Sequence, residues 1–519
     1  MRPCVIVLSL LLPLCARAQV LTSQYDNQRT GATLAEKVLT PQNVNAHQFG
    51  KLGAFPVDGS VYAQPLYLPG VDVPGKGKYN LLFVATEHDT VYAFDADAPG
   101  SPALWRVNLL DKNLDGSPVP ARAVQCPFIQ PEIGITSTPV IDRPTGTLYV
   151  LARSMAGHAF SNDQFFQRLH ALAITTGAEK FGGPKLISAL AAGRGDGNVN
   201  GQVAFDPLRE NPRASLLLVN GSIFLTWASS CDVPPYHGWV MAYDARTLAQ
   251  QAVFNVTPDG REGGIWSADT GPAADSTGNI FVSTGNGTFD AASGGRDYGD
   301  SVLKLVRDGS SIAIRDYFTP YDQARISDRD ADVGSSGALL LPDQPGPHRH
   351  LLLQPTKNAV IYVIDRDQMG QYHADGDAIL QRIPSHEGYG AMAYWNGHVF
   401  FAASDDALRD YAVTSGKILL AKSSNMKFEN PGATPSISAN GNQDAIVWAI
   451  STRVWNGQDK PAVLYAFDAS DVSQPIYSSE QNSKRDRAAE ATRFSIPVVV
   501  NGRVYFGTRG EVEVYGLLK

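Results

Sequence analysis

The chain has 519 residues, of which 43% are hydrophobic and 18% charged, and its formal net charge is −8. This composition is typical of a folded globular protein with ample material for a core. The acidic balance, without any Lys/Arg cluster, argues against a nucleic-acid partner, because nucleic acid requires a basic face.

The first 18 residues are typical of a secretory signal peptide. Arg2 precedes an apolar run, CVIVLSLLLPL, that is too short to span a bilayer, and the following ARA is a small-x-small cleavage site. We expect cleavage before Gln19 and a periplasmic or secreted protein. No later apolar run reaches the length of a membrane span, so we expect none.

The remaining residues, 19–519, repeat one pattern of short strands eight times. The most complete copy is residues 263–305, and corresponding points recur about every 40 to 60 residues, which indicates propeller blades. We therefore predict an all-β fold, one eight-bladed β-propeller of four-stranded blades. The last copy, residues 493–518, has no fourth strand. We predict that residues 49–57 supply it and close the ring, which removes exposed sheet edges.

Propeller topology predicts which loops share a face. The loop before the first strand of each blade and the turn between its second and third strands lie on the same face. The residues expected on this face are Cys126, Glu132, Arg153, Cys231, Asp232, Trp266, Asn286, Asp328, Asp330, Asp332, Lys357 and Arg509.

Five of these side chains suggest chemistry. Asp330 and Asp332 offer hard oxygen ligands or a general base, and Asn286 offers a neutral carbonyl oxygen to a cation. Lys357 can polarise a carbonyl, and Trp266 offers a flat apolar surface to a planar ligand. Each also has a structural interpretation: a turn asparagine, a solvated acidic loop, an ordinary hairpin lysine and a core tryptophan.

The cysteines predict one disulfide and no covalently bound haem. Loss of the leader removes Cys4 and Cys15, which leaves Cys126 and Cys231 on neighbouring blades in an oxidising compartment. We predict that these two are bonded; the alternative is two free thiols. The sequence contains neither CxxC nor CxxCH, the motif of c-type haem.

The motifs of residues 263–365 resemble those of the quinoprotein alcohol dehydrogenase family. These proteins are eight-bladed propellers that use pyrroloquinoline quinone (PQQ) and a calcium or lanthanide ion. Their GGTxW…TGN pattern is similar to GGIWSADTGPAADSTGNIFVSTGN, and their TPHD…WDYDG to TPYDQARISDRDADVG. The family also has an Arg or Lys before a strand that ends in Asp-Arg, and PTKNAVIYVIDR, which contains Lys357, is similar to this segment. A closer likeness is to secreted bacterial PQQ-repeat proteins, which share PEIGITSTPVID.

The resemblance implies a role for each matched residue. Trp266, Lys357, Cys126 and Arg153 are expected to contact PQQ, and Asp330 and Lys357 to be catalytic. The expected metal ligands are Asn286, Asp330, Asp332 and Asp232. Two family features are changed: Cys126 has no adjacent cysteine, and Val233 stands where the family has a metal-binding Glu, with Asp232 beside it.

Two functions follow from this sequence. The first is an exported PQQ- and calcium-dependent oxidoreductase that acts on the hydroxyl of an alcohol or sugar and passes electrons to a separate acceptor. The second is a non-catalytic propeller that binds or scaffolds proteins of the cell envelope, since the fold alone does not determine the function.

Overall fold

The computed structural model describes residues 18–157, 164–268, 270–453 and 460–519. Residues 1–17, which make up nearly all of the expected signal peptide, lie outside the described residues. Among the described residues, no helix is both long and apolar enough to cross a bilayer.

Within the described residues the strands form eight blades, which confirms the predicted all-β propeller. The main strands of each blade pair antiparallel, and in blades 1 to 7 they follow chain order from the innermost to the outermost. The strands of blades 1 to 4 are Leu66–Val73, Gly77–Ala85, Thr90–Asp95 and Trp105–Asn108; Val140–Asp142, Thr147–Ala156, Phe165–Ala173 and Lys185–Leu186; Leu217–Val219, Ser222–Ser229, Trp239–Asp244 and Gln250–Asn255; Ala273–Ala274, Ile280–Ser283, Val302–Asp308 and Ser311–Phe318.

Blades 5 to 7 repeat this order, and blade 8 takes three strands from the C-terminus. Their strands are Leu339–Leu340, Leu351–Pro355, Val360–Asp365 and Gln381–Pro384; Ala393–Trp395, His398–Ala402, Asp406–Thr414 and Lys417–Phe428; Ser436–Asn440, Gln443–Ser451, Val463–Asp468 and Asp471–Ser478; Val498–Val500, Arg503–Gly507 and Arg509–Leu517. The α-helices are short, Gln323–Asp328 and Ser483–Asp486. Short accessory strands extend blades 2, 3 and 7.

The core lies between the blades. Ser222–Ser229, the second strand of blade 3, is buried at every position because neighbouring blades cover both of its faces. Its Trp227 packs in one apolar cluster with Tyr149 and Leu169 of blade 2 and Met241 of blade 3. Burial on both faces is the reason why apolar residues occupy successive positions, Ile223 to Leu225, instead of alternating with polar ones.

The ring closes as predicted. The strand Phe49–Ser60 pairs antiparallel with Arg509–Leu517, with Phe49 opposite Leu517 and Phe55 opposite Val512. Phe49 packs against Trp448 and Tyr477 of blade 7, with ring centroids 5.4 and 4.9 Å apart. Blade 8 therefore contains both ends of the propeller sequence, and the ring has no open seam.

A second closing element was not predicted from the sequence. Residues 20–33, here called the N-terminal clasp, run around the inner strands and hydrogen-bond to every blade. The bonds reach Tyr67 of blade 1, Ile141 of blade 2, Leu218 of blade 3, Ala274 of blade 4, Leu340 of blade 5, Tyr394 of blade 6, Ile437 of blade 7 and Val499 of blade 8.

Most of these bonds join backbone atoms. The carbonyls of Asn27 and Gln28 accept from the amides of Ala274 (2.6 Å) and Leu340 (3.0 Å). The buried guanidinium of Arg29 donates to the Pro272 carbonyl and to Thr22 and Ser23 of the clasp itself. Because each innermost strand has a free edge facing the channel, the clasp satisfies polar groups that would otherwise require water.

We predict that Gly31→Ala lowers stability far more than Gly75→Ala. Both glycines have left-handed backbone, with φ of 68° and 72°, so a Cβ at either costs about 1 kcal/mol. A Cβ at Gly31 would lie 2.9 Å from Ala393 Cβ, whereas one at Gly75 meets nothing within 4 Å. Overpacking should bring the loss at Gly31 to about 3 kcal/mol in urea denaturation. Equal losses would show that the clasp is not tightly seated on blade 6.

Candidate functional site

A cavity of about 370 Å³ opens on the face predicted from the topology. This volume is within the range of small-molecule sites. The predicted residues that line it are Cys126, Cys231, Asp232, Trp266, Asp330, Asp332 and Lys357. The loops before or within blades 2 to 5 supply these residues, so the expected convergence is observed for them.

Two carboxylates and one ammonium form the charged part of the cavity. Lys357 Nζ lies 2.7 Å from Asp330 Oδ2 and 3.5 Å from Asp332 Oδ2. Asn286 is not part of the lining but supports both carboxylates. Its Nδ2 donates to Asp330 Oδ1 (2.9 Å) and its backbone amide to Asp332 Oδ1 (3.0 Å). Its own Oδ1 is buried without a hydrogen-bond partner.

The two carboxylates differ in exposure. The Asp330 side chain is 64% exposed, whereas that of Asp332 is 9% exposed. Burial raises the pKa of Asp332 to about 6, although Lys357 opposes the shift. Burial alone would lower the pKa of Lys357, but Asp332 and Asp330 outweigh it, and the pKa is raised. Asp330 is therefore the carboxylate that a ligand in the cavity can reach.

Trp266 forms an apolar wall beside this charged group. A Cβ added to Gly285 would lie 3.0 Å from Trp266 Nε1 and 2.3 Å from Asp332 Oδ1. Only glycine at this position lets the indole and the carboxylate pack against the same backbone. Trp266 Nε1 is buried without a hydrogen-bond partner.

Asp232 lies at the cavity in a tight turn. Its Oδ1 accepts hydrogen bonds from Tyr236 OH (2.7 Å) and Ser229 Oγ (3.2 Å). Burial raises the pKa of its carboxyl, and the negative charge of Asp330 adds to this. The neighbouring Cys231 is bonded to Cys126, with a Cα–Cα distance of 5.5 Å, which confirms the predicted disulfide.

Arg153 lies elsewhere. We expected it to follow a strand at the cavity face, which is wrong, because it lies inside Thr147–Ala156 and is fully buried. Burial lowers the pKa of its guanidinium to about 10, despite the nearby acidic groups Asp206, Glu87 and Glu210. Glu132, also expected at this face, contacts His88 Nδ1 at 2.7 Å.

Four other cavity residues were missed by the sequence interpretation. The guanidinium of Arg493 stacks on Phe128 at 4.1 Å, and that of Arg213 on Phe494 at 4.3 Å. All four line the cavity. Arg213 and Arg493 precede the innermost strands of blades 3 and 8, so the topology rule applied to Trp266 would have found them.

Comparison with protein-family models and with curated proteins gave no match. Solved structures do match. Quinohemoprotein alcohol dehydrogenase ADHIIG from Pseudomonas putida HK5 superposes with a TM-score of 0.62 at 15% identity, covering 96% of this chain and 80% of that one. The chain has the fold of the quinoprotein alcohol dehydrogenases.

Two further quinoprotein-fold structures agree with this likeness. Quinohemoprotein alcohol dehydrogenase from Comamonas testosteroni gives a TM-score of 0.61 at 13% identity, with 96% and 80% of the two chains covered. A europium-containing methanol dehydrogenase gives 0.57 at 12% identity, with 96% and 98% covered. At such identities the shared feature is the fold, and the chemistry must be argued from the cavity.

We predict that Lys357→Met destabilises the protein more at pH 8 than at pH 5. At pH 8 the buried Asp332 carboxylate would be ionised without its ammonium partner, which costs about 3 kcal/mol. At pH 5, below its pKa of about 6, Asp332 is mostly protonated and the loss should be smaller. Urea denaturation at both pH values measures the difference, with Lys357→Arg as the charge-preserving control. A loss independent of pH would contradict the pairing.

Proposed function

We propose that the protein is an exported, PQQ-dependent oxidoreductase that oxidises a hydroxyl group of an alcohol or sugar. The observation that carries this proposal is one cavity that combines the indole of Trp266, the ammonium of Lys357 and the guanidinium groups of Arg213 and Arg493. The fold likeness supports it. The predicted roles of the site residues are part of the same proposal.

The cavity residues fit a planar, anionic quinone. PQQ is a flat ring system that carries carboxylate groups. Trp266 offers a flat apolar surface to the rings, and the buried Nε1 of this residue lacks a partner. Arg213 and Arg493 would pair with carboxylates, which guanidinium groups bind in a bidentate manner. Cys126, through its disulfide, belongs to the cavity wall as well.

When bound, PQQ would supply the two-electron acceptor of the reaction. The chain's own contribution would be to bind the alcohol and to remove its proton. Asp330 is the candidate base because it is exposed to the cavity and is held in one orientation by Asn286 and Lys357. A hydroxyl about 3 Å from its carboxylate could transfer its proton directly. The Lys357 ammonium would stabilise negative charge on an oxygen nearby.

The residues present do not complete a calcium site. Calcium takes about six to eight oxygen ligands. Among the residues that the structure describes, no three carboxylate, His or Cys side chains group to hold a metal. Asp330 is already bonded to Lys357 and Asn286, and Asp232 to Tyr236. Asn286 Oδ1, beside them, is an oxygen without a hydrogen-bond partner and could serve as a metal ligand. The calcium requirement therefore stays a prediction.

We predict that Asp330→Asn abolishes PQQ-dependent dye reduction and leaves PQQ affinity within about threefold, because it removes the base but keeps the side chain's shape. The neighbouring exposed carboxylate Asp328 gives the matched control, Asp328→Asn, which should stay active. The assay is run on a panel of alcohols and sugars, with added calcium and with a chelator. Full activity in Asp330→Asn would overturn the catalytic role.

The calcium arm of this assay separates two versions of the site. Activity only with added calcium would assign Asn286, Asp330, Asp332 and Asp232 as ligands that rearrange when the metal binds. Equal activity in the chelator would leave Lys357 as the cation of the site. Since the sequence contains no haem motif, either version passes electrons to a separate acceptor.

We predict that Arg493→Gln weakens PQQ binding about tenfold, because it removes a charge-assisted pair with a carboxylate. The control is Arg487→Gln, which changes an exposed arginine in the same connection between blades 7 and 8. This variant should bind PQQ normally. Isothermal calorimetry measures both affinities. Absence of PQQ binding by the unaltered protein would instead favour the second function, a propeller that binds or scaffolds envelope proteins.

A further inference from the structure

One segment forms the apolar wall of the cavity. Residues 121–133, here called the wall segment, connect blade 1 to blade 2. The wall-segment residues that line the cavity are Val124, Cys126, Phe128, Ile129 and Ile133. The charged group of Asp330 and Lys357 belongs to other blades, so the cavity exists only while the wall segment stays in place.

The base of the wall segment is held by backbone pairing. Gly116–Pro120, just before it, pairs with Thr147–Ala156, and Glu132–Ile133 pairs back onto Gly116–Pro120. Between these points the segment forms a loop that begins with a 3-10 turn, Ala121–Val124. Such a loop can open locally without unfolding of the blades where its contacts are released.

Apolar packing, a hydrogen bond, ring stacking and one covalent link hold the tip of the loop. Val124 and Ile129 are buried in a small apolar cluster, and Tyr62 OH donates to the Phe128 carbonyl at 3.2 Å. Arg493 stacks on the Phe128 ring. Gln125 and Pro127, on either side of Cys126, are exposed. The covalent link at this tip is the disulfide from Cys126 to Cys231.

The other end of the disulfide lies in a strained turn. Cys231 and Asp232 both have left-handed backbone, with φ of 54° and 52°. For residues with a Cβ this conformation is unfavourable and persists only where the surroundings impose it. The hydroxyls of Ser229 and Tyr236 donate hydrogen bonds to the Asp232 carboxylate, and the disulfide holds the preceding residue.

We propose that the Cys126–Cys231 disulfide is the positioning element of the cavity, and that its reduction opens the wall segment and releases the Asp232 turn. The disulfide joins the wall segment to Cys231 of the neighbouring blade 3, the residue directly before Asp232, so one bond restrains both. This role does not depend on the identity of the ligand. The wall segment accordingly stays in place in an oxidising compartment and opens when a dithiol reduces the disulfide.

The chemical step is ordinary thiol–disulfide exchange. A thiolate of a dithiol attacks one sulfur, the Cys126–Cys231 bond breaks, and a mixed disulfide forms. The second thiol of the reagent then attacks this bond and becomes oxidised. The dithiol becomes a cyclic disulfide, and the two electrons and two protons that it loses convert Cys126 and Cys231 to thiols.

The test compares local hydrogen exchange in the oxidised and reduced protein. The purified protein is treated with dithiothreitol without denaturant and alkylated, and mass spectrometry measures the alkylated cysteines. We expect amide exchange over residues 121–131 and 230–236 to rise about tenfold or more, because reduction removes the covalent restraint on both segments. Peptides of blade 6, residues 398–414, are the internal control and should not change.

A double variant, Cys126→Ser with Cys231→Ser, gives an independent arm. It should show the same local exchange without reductant, and reoxidation of the reduced wild type, but not of the variant, should restore protection. Unchanged exchange after complete reduction would overturn the proposal. The proposal would also be overturned if reduction by dithiothreitol raised amide exchange in all blades, because the disulfide would then stabilise the whole fold.

Discussion

The structure depends on hydrogen bonding at the inner edges of the blades. Each innermost strand presents unpaired backbone groups to the channel, and the clasp of residues 20–33 bonds to all eight. The strand Phe49–Ser60 likewise pairs with the outer edge of blade 8 and satisfies its backbone groups. One N-terminal stretch therefore satisfies both the inner edges and the seam, which couples the blades into one cooperative unit.

With the strands fixed in this way, chemistry is left to the loops at one face. The charged group of Asp330, Asp332 and Lys357 comes from the connections around blade 5, and the apolar wall from the connection between blades 1 and 2. These loops are far apart in sequence and meet because the ring is closed. Among the described residues one disulfide, Cys126–Cys231, links the apolar wall covalently to another blade, so the cavity is more sensitive to local change than the fold is.

Electrostatics determines what the cavity can bind. The buried Asp332 carboxylate is tolerated because Lys357 and the Asn286 amide compensate it. This pairing also uses the charge that would attract a metal ion. A ligand with its own negative groups would meet Arg213 and Arg493 at the other part of the cavity, so the residues favour an anionic planar molecule more clearly than a cation.

The sequence alone determined the fold, because a strand repeat with a missing last strand has one economical closure, through residues 49–57. It also determined the face on which Trp266, Asp330 and Lys357 meet and the Cys126–Cys231 bond, since chain direction in a propeller fixes loop placement. Only the tertiary structure placed Arg153 inside a strand, showed Arg213 and Arg493 stacked on Phe494 and Phe128, and revealed the clasp. Those features depend on strand ends, side-chain packing and non-local backbone pairing, none of which leaves a periodic signal in the sequence.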